Sequence, residues 1–448
     1  MTPARRRALA VLCLALAVVV IDNTILAVAF PSIRVGLHTD ETGLQWIGST
    51  YGLVLAGLLL PIAVLADRHG RKGVLMLGLV IFGSASAFAA FAGSALTLAI
   101  ARGAMGVGGA CAMPATLSML GNVFPPDQRG RAIAIWSGVA GGATAIGPLA
   151  GGLLLEHFWW GSVFLVNAPV AALTLVLAAR WLPRSTDPQS PPVDRGSALR
   201  WWGALTALLV AVIEGPRLGW LSPGVLGAAG ACVVLFVAFG RREAHSAGPL
   251  IEAATRRDPR LRAGAATMAA LFFGVIGMEF VLTQWIQGPE HRSALTAGLY
   301  FVPTAVASLG FALLNPRGVA RFGHGPVAAA GLVAAGLGSV VAAVAVAGGS
   351  LGGLVAAGLL VGIGIGAASA SGVELIMGSA RPERAGSASG VNETLVEAAG
   401  ALGIAVLGTL LVESGSFVWP LPVVGVVQVA VGIGVWRVLR LKRVTRRE

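Results

Sequence analysis

The chain has 448 residues, of which 56% are hydrophobic and only 12% are charged. Soluble domains carry about twice that share of charged residues, so the composition excludes an ordinary soluble globular protein and indicates a helical protein with many membrane spans. The net charge of +12 would suggest nucleic-acid binding in a soluble protein. In a membrane protein it reflects orientation, and we expect no nucleic-acid partner.

The reactive residue types indicate neither a metal site nor an enzymatic site. Cys13, Cys111 and Cys232 stand in apolar runs without paired spacing, and all six histidines fall in predicted loops. The sequence also lacks a Walker motif and a nucleophile elbow. We therefore expect no catalysis, no ATP-driven transport, no metal and no cofactor, and any proton pathway must depend on carboxylates.

Fourteen hydrophobic segments are long enough to cross a bilayer as helices. The first is too long for the core of a signal peptide and lacks a small-residue cleavage site, so we expect it to remain as an anchor. The seventh is the shortest. The predicted spans are 8–30, 45–66, 73–92, 97–120, 132–155, 162–182, 199–214, 223–240, 263–285, 295–315, 326–347, 351–375, 386–411 and 418–438.

The basic residues support this topology. Placing both termini in the cytoplasm puts nearly all of the 32 lysines and arginines in cytoplasmic segments. The external loops then hold only Arg34, Arg217 and Arg292, and Arg102 lies within a span. This bias predicts an even number of spans with both termini cytoplasmic. Arginine far outnumbers lysine, which hints at a GC-rich bacterial genome and hence at a bacterial inner membrane.

Two polar linkers divide the chain. Pro183–Arg200 follows the sixth span and Arg241–Arg262 follows the eighth. They bracket one helical hairpin, so the arrangement predicts two six-helix lobes with an inserted pair of spans. The expected division is 1–182 for the N-terminal lobe, 183–262 for the linkers and the hairpin, and 263–448 for the C-terminal lobe.

The two lobes share a local repeat. The loop after the second span reads ADRHGRK at 66–72, and the loop after the tenth span reads VARFGHG at 319–325. Each copy has an arginine followed two residues later by a glycine, which aligns Gly70 with Gly323. Internal repeats of this kind are typical of a two-lobed transporter with a central site.

Asp22 lies deep in the first span, within VVIDNTILAVAFP. A carboxylate there is costly unless it is paired or protonated. Arg102 opens the run RGAMGVGGA in the fourth span, and the predicted topology places both residues in the outer half of the membrane. An arginine keeps its proton at any useful pH, so Arg102 would act as a fixed charge beside Asp22. A buried polar group bonded to a neighbouring helix is the alternative for Asp22.

Four further acids lie within predicted spans of the second lobe: Glu279, Glu374, Glu393 and Glu397. The last two are four residues apart and therefore share one helix face. Two acids on one face have no obvious structural use in lipid, which favours a functional pair, although a structural role stays open. Glu374 lies at the inner end of its span and could instead form an interfacial ion pair with Arg381 or Arg384.

The fifth span contains the glycine-rich run GVAGGATAIGPLAGG. Glycines four residues apart leave grooves along a helix face, and a proline adds a site for a kink. An ordinary packing helix rich in small residues would have the same spacing. The residues of interest are Gly138, Gly142, Gly147, Pro148, Gly151 and Gly152.

In their order along the chain, these motifs resemble the fourteen-span drug:proton antiporters of the major facilitator superfamily. The first-helix run resembles their signature, with Ala27 and Phe30 where asparagine and leucine are usual. The first repeat loop resembles the superfamily's loop signature, with Ala63 where its first glycine is expected. The fourth-helix run has Met105 in place of a glutamine. The acidic pair resembles a helix of quaternary-ammonium-resistance exporters, and Glu279 matches that subgroup more loosely.

The resemblance implies an all-α major facilitator fold and proton-coupled export of amphipathic, cationic compounds through an apolar cavity between the lobes. It implies proton coupling by Asp22, Arg102, Glu393 and Glu397. It implies substrate binding by Glu279, Glu374, Glu393 and Glu397. It implies a gating loop of Asp67, Arg68, Gly70, Arg71 and Lys72, for which a positive-inside loop with a glycine turn is the alternative. Asp67 could pair with an arginine such as Arg131 or cap a helix N-terminus. The glycine-rich run would be the antiporter motif.

The implied partners are a drug-like small molecule, protons and membrane lipid, and we expect a monomer. Two other functions stay open. A transporter of the same fold could export one antibiotic or metabolite. A membrane sensor or scaffold that transports nothing would need no buried carboxylates and should show no proton-coupled flux.

Overall fold

The computed structural model describes residues 1–183, 194–245, 258–379 and 385–444, and within these ranges the secondary structure is helical, without strands. The helices are α1 (Pro3–Leu37), α2 (Glu41–His69), α3 (Arg71–Ala90), α4 (Ala95–Val123), α5 (Pro126–His157), α6 (Ser162–Leu165), α7 (Asn167–Trp181), α8 (Arg195–Leu218), α9 (Pro223–His245), α10 (Pro259–Gln287), α11 (Ala294–Tyr300), α12 (Val302–Phe322), α13 (His324–Ala347), α14 (Leu351–Met377), α15 (Ala385–Ser414) and α16 (Pro420–Val444).

Fourteen helical segments of the described chain are long and apolar enough to cross a membrane, which confirms the predicted number of spans. Helices α6 and α7 together form one of them, and α11 and α12 form another. The seventh span, predicted over 199–214, is longer than expected, since α8 begins at Arg195. Asp194 accepts hydrogen bonds from the backbone N–H groups of Gly196 and Ser197, and this cap extends the helix beyond its apolar run.

The described residues 1–183, 194–203 and 293–298 form one compact unit. In it α4 packs against α2 and α3, while α1 packs against α4, α5 and α7. Glycines make these contacts close: a Cβ at Gly106 of α4 would lie 2.7 Å from the carbonyl oxygen of Tyr51 on α2. The glycine-rich α4 is therefore held against its neighbours where Arg102 lies.

The second compact unit contains the described residues 204–245, 258–292, 299–379 and 385–444. In it α13 packs against α14 and α16, and α10 packs against α14, α15 and α16. Close approach again depends on glycine: a Cβ at Gly277 of α10 would lie 2.8 Å from the carbonyl oxygen of Gly403 on α15. The predicted division at 182 and 262 into two lobes and an inserted hairpin remains a prediction.

The glycines of the predicted repeat occupy equivalent turns. Gly70 lies between α2 and α3 with a φ of 115°, and Gly323 lies between α12 and α13 with a φ of 84°. Positive φ angles favour glycine because it has no Cβ. The two loops matched in the sequence therefore both place a glycine with a positive φ angle at this position.

The helical hairpin of α8 and α9 is bonded to α15 within the second unit. Thr409 Oγ1 donates to the carbonyl oxygen of Val212 at 2.9 Å. Trp220 Nε1, in the turn after α8, donates to Glu413 Oε1 at 3.0 Å. These two bonds connect the hairpin to the helix that carries the acidic pair.

Candidate functional site

Asp22 of α1 and Arg102 of α4 form a salt bridge in the interior of the first unit. Arg102 Nη1 donates to Asp22 Oδ2 at 2.6 Å, and both side chains are fully buried. The sequence had allowed this partnership, and the structure brings the two side chains together. Burying two charges costs desolvation energy that only close geometry offsets, so a pair in this position is more readily explained by function than by stability.

Asn167 holds the other oxygen of the same carboxylate. Its Nδ2 donates to Asp22 Oδ1 at 2.6 Å and also approaches Ser86 Oγ at 3.1 Å. Ser86 Oγ in turn donates to the carbonyl oxygen of Phe164 at 2.9 Å. The carboxylate is therefore bound from two sides, by helices α4 and α7, and the network continues into α3.

The guanidinium of Arg102 also lies over an aromatic ring. Its Cζ is 4.4 Å from the ring centroid of Tyr51 on α2, a cation–π distance. Nε and Nη2 of Arg102 have no hydrogen-bond acceptor among the described residues. Since the guanidinium remains charged, the net charge of this network is set by whether Asp22 carries a proton.

Sequence reasoning missed three members of this network: Asn167, Ser86 and Tyr51. Each is a single polar or aromatic residue within an apolar span, and such a residue has no spacing that distinguishes it from ordinary packing. Asn167 alone gave a weak signal. It stands at the break between α6 and α7, two residues before a proline.

Replacing Asn167 by alanine should destabilise the protein by about 1.5–3 kcal/mol, because one buried carboxylate oxygen would lose its donor. The thermal unfolding midpoint of the purified protein measures the change. Thr174→Val is the matched control, since the hydroxyl of this buried residue on the same helix bonds, within the described part of the chain, only to the carbonyl oxygen of Val170. Equal destabilisation by the two changes would show that Asn167 has no special connection to Asp22.

The glycine-rich run of α5 divides into two halves with different surroundings. A Cβ at Gly151 would lie 2.7 Å from side-chain atoms of Ile25 and Val28 on α1, and Gly147 packs against Thr24. At Gly138 and Gly142, by contrast, a Cβ would meet no described atom within 4 Å.

The rest of the run contacts a second segment of the same unit. A Cβ at Gly152 would lie 2.5 Å from Leu295 Cα, and the carbonyl oxygen of the buried Pro148 lies 2.5 Å from where a Cβ of Gly298 would stand. Only the second half of the run, Gly147–Gly152, is thus a tightly packed surface in the described residues.

The gating loop is partly described. The side chains of Asp67 and Arg68 lie outside the described residues, and with them the expected pair between Asp67 and an arginine such as Arg131, whose own side chain is exposed. Lys72 has a role that the sequence did not suggest. Its Nζ donates to the carbonyl oxygens of Ala179 at 2.7 Å and Leu182 at 2.8 Å.

Those two carbonyl groups lie at the C-terminal end of α7. A cation is stabilised there by the helix dipole and by the unpaired carbonyls of the last turn. Lys72 thus connects the loop after α2 to α7, the helix that also carries Asn167.

The acids of the second unit are distributed along three helices. Glu393 and Glu397 lie one turn apart on α15, the first half-buried and the second buried. Asn392 Nδ2 donates to Glu393 Oε1 at 3.4 Å, and within the described residues Glu393 has no ion-pair partner. Glu279 of α10 lines a small cleft, and Glu374 is exposed near the end of α14.

The expected alternative partners of Glu374 lie outside the described residues, at 381 and 384. Within the described residues, no group of histidines, cysteines and acids is arranged to hold a metal ion. The three free cysteines are buried.

Known proteins resemble this chain over most of its length. It is 35% identical over 404 residues to the multidrug efflux pump LfrA of Mycolicibacterium smegmatis. The matched residues cover 90% of this chain and 80% of LfrA. It is 32% identical over 403 residues to the tetracenomycin C resistance and export protein of Streptomyces glaucescens, covering 90% of this chain and 75% of that protein.

A solved structure has the same fold. It is a POT family transporter in complex with a thioalcohol-conjugated peptide, with a TM-score of 0.71 over 95% of each chain and 18% sequence identity. The family model described as Major Facilitator Superfamily matches residues 12–404. The fourteen membrane spans, the family match over most of the sequence and these relatives agree, and the chain belongs to the major facilitator superfamily.

Proposed function

We propose that this protein exports amphipathic, cationic compounds in exchange for protons by alternating access. The observation that carries the proposal is the fully buried pair of Asp22 and Arg102. A carboxylate beside a fixed cation changes the charge of the site when it gains or loses a proton. Its protonation can therefore bias one conformation over another.

The packing around the pair suggests how a proton would act on the helices. Asp22 binds α4 through Arg102 and α7 through Asn167. Protonating the carboxylate would remove its attraction to the guanidinium and weaken the contact between α1 and α4. Because α1 also packs on Gly147 and Gly151 of α5, a shift of α1 would be transmitted to that helix.

The substrate would be attracted by the acids of the second unit. Glu393 and Glu397 supply negative charge on one turn of α15, and a cation beside them would favour their ionised forms and expel a proton. This is the coupling that an antiporter requires. The similarity to LfrA, described as a multidrug efflux pump, supports a broad range of substrates.

The proposal includes the orientation and the partners. Both termini would lie in the cytoplasm of a bacterium, with the chain working as a monomer in the inner membrane. Protons, a drug-like small molecule and lipid would be its partners, and no catalytic step is involved.

The loop after α2 would control the conformational equilibrium without touching substrate. Asp67→Ala should slow turnover and leave equilibrium substrate binding nearly unchanged, because a gate pair biases states and does not contact the ligand. Efflux rates from vesicles and binding to the purified protein measure the two effects separately. A large loss of affinity without altered accessibility would place the loop in the binding path.

Gly151→Val should impair efflux strongly, because its side chain would overlap Ile25 and Val28 of α1 at a contact that tolerates no added atoms. Such overpacking typically costs about 1–3 kcal/mol in the conformation where the helices are close. Gly142→Val is the matched control on the same helix, since a Cβ there meets no described atom within 4 Å. Equal losses of efflux in the two variants would contradict a specific role for the close contact of α1 and α5.

A dedicated exporter is the second candidate function, favoured by the similarity to the tetracenomycin C resistance and export protein. Growth of an efflux-deficient host that expresses this protein separates the two, across a panel of unrelated cationic dyes and antibiotics. Our proposal predicts protection against several unrelated cations. Protection against a single compound would favour the dedicated exporter, and protection against none would contradict both.

A further inference from the structure

The second unit contains a cleft that holds one acid. It is lined by one face of α10, by the junction of α11 and α12, and by α14. Its volume is about 20 Å³, which admits about one water-sized group. Glu279 is the only charged residue among the described residues that line it, and apolar residues such as Met278 and Leu282 line it as well.

The junction of α11 and α12 shapes one wall of this cleft. The helix is interrupted at Phe301, and Pro303 follows immediately in the first turn of α12. Proline has no N–H to donate, so the backbone of this stretch cannot form a continuous helical ladder. In membrane proteins such interruptions occur where the backbone lines a cavity or is buried in protein.

The lining also includes two residues that carry hydroxyl groups, Tyr300 and Thr304. A glycine on the opposite helix makes room for the second one. A Cβ at Gly358 of α14 would lie 2.8 Å from Thr304 Oγ1, so a larger residue there would displace the threonine side chain. The residues that line the cleft therefore include one acid and two hydroxyl-bearing residues among otherwise apolar ones.

The carboxylate of Glu279 differs from that of Asp22. Asp22 has both oxygens bonded to side chains of its own unit. Glu279 forms no ion pair within the described part of the chain, although it is largely shielded from solvent. An unpaired acid in an apolar cleft is costly, and a cationic group from outside the protein would remove that cost.

We propose that this cleft binds the primary ammonium group of a substrate, a specificity that rests on the proposed export of amphipathic cations. An ammonium has three N–H donors, which matches the three oxygen-bearing side chains of the lining. Its size is close to that of the water-sized space. A trimethylammonium group has no N–H donor and is larger than the water-sized space beside Glu279.

The test compares two ligands that differ only in the head group, octylammonium and octyltrimethylammonium. Binding to the purified full-length protein in lipid nanodiscs is measured by calorimetry for wild type and Glu279→Gln. We expect Glu279→Gln to lower the affinity for octylammonium by about tenfold or more, because a hydrogen bond to a charged group is lost. The loss for octyltrimethylammonium should be about threefold or less, since only the longer-range charge attraction is removed.

Two further variants distinguish loss of the binding site from misfolding of the protein. Glu290→Gln makes the same chemical change just beyond the end of α10 and outside the cleft, and it should leave both affinities unchanged. Thr304→Val keeps the side-chain shape and removes one hydroxyl. Thr304→Val should lower the affinity for octylammonium several-fold and leave the affinity for octyltrimethylammonium unchanged. An equal loss of affinity for both ligands would contradict the inference.

Failure of this inference is distinguishable from failure of the proposed function. Equal losses for the two ligands in Glu279→Gln, or no loss for octylammonium, would overturn the ammonium site while wild-type binding of both cations still supports export. If wild type binds neither cation, the proposed function is contradicted, and the ammonium site with it.

Discussion

Replacing Asp22 by asparagine is expected to abolish proton-driven efflux while the protein still inserts in the membrane. An amide cannot exchange a proton in the working pH range, so the step that links the proton to the helices would be lost. The change also leaves Arg102 buried without its counter-ion. Losing one partner of a buried pair typically costs about 3–5 kcal/mol, so thermal stability should fall as well.

A double variant separates these two effects. Asp22→Asn with Arg102→Gln removes both charges and should recover much of the lost stability, because no unpaired charge remains. Efflux should stay absent. Dye efflux from energised vesicles and the unfolding midpoint in detergent give the two readouts. Wild-type efflux with wild-type pH dependence in Asp22→Asn would show that this carboxylate is structural.

Neutralising Glu393 is expected to lower the affinity for cationic ligands selectively. Its charge contributes about 1–4 kcal/mol to a monovalent cation 4 Å away in a partly wet cavity, so the affinity should fall by at least several-fold. A neutral compound should lose far less. Glu393 is half-buried and without an ion-pair partner in the described residues, so we expect a larger loss for Glu393→Gln than for the buried Glu397→Gln.

The experiment is paired binding of one monovalent cation and one neutral compound to wild type and to both variants. Glu290→Gln again serves as the control for removing a carboxylate, because it lies in the turn after α10. Equal losses for the two ligands, or no loss for either, would show that the acidic pair is structural. Asp22 or Glu279 would then carry the substrate's counter-charge.

The number of spans was predictable because hydropathy measures directly what a bilayer requires, a long run without charge. The start of α8 was not predictable, since its extension to Arg195 depends on the cap at Asp194 and not on apolar residues. The glycines of the two matching turns could also be predicted from the sequence. Gly70 and Gly323 occur in matching loops, and positive φ angles require that residue type at both.

Only the charged residues of the candidate site could be predicted from the sequence. Asp22 and Arg102 stand out because charge is rare inside a span, whereas Asn167 and Ser86 resemble ordinary polar residues until helices α3 and α7 bring them to the same place. Sequence spacing also could not show which glycines of α5 pack closely against another helix. Gly138 and Gly142 have the same spacing as Gly147 and Gly151, and only the position of α1 distinguishes the two pairs.

The most direct test of proton exchange uses purified protein in proteoliposomes that contain a pH-sensitive dye. Addition of a cationic substrate to wild type should move protons in the direction opposite to the substrate, at a rate that follows substrate flux. Asp22→Asn should show neither proton movement nor gradient-driven flux. Substrate transport by wild type without any accompanying proton movement would contradict the account.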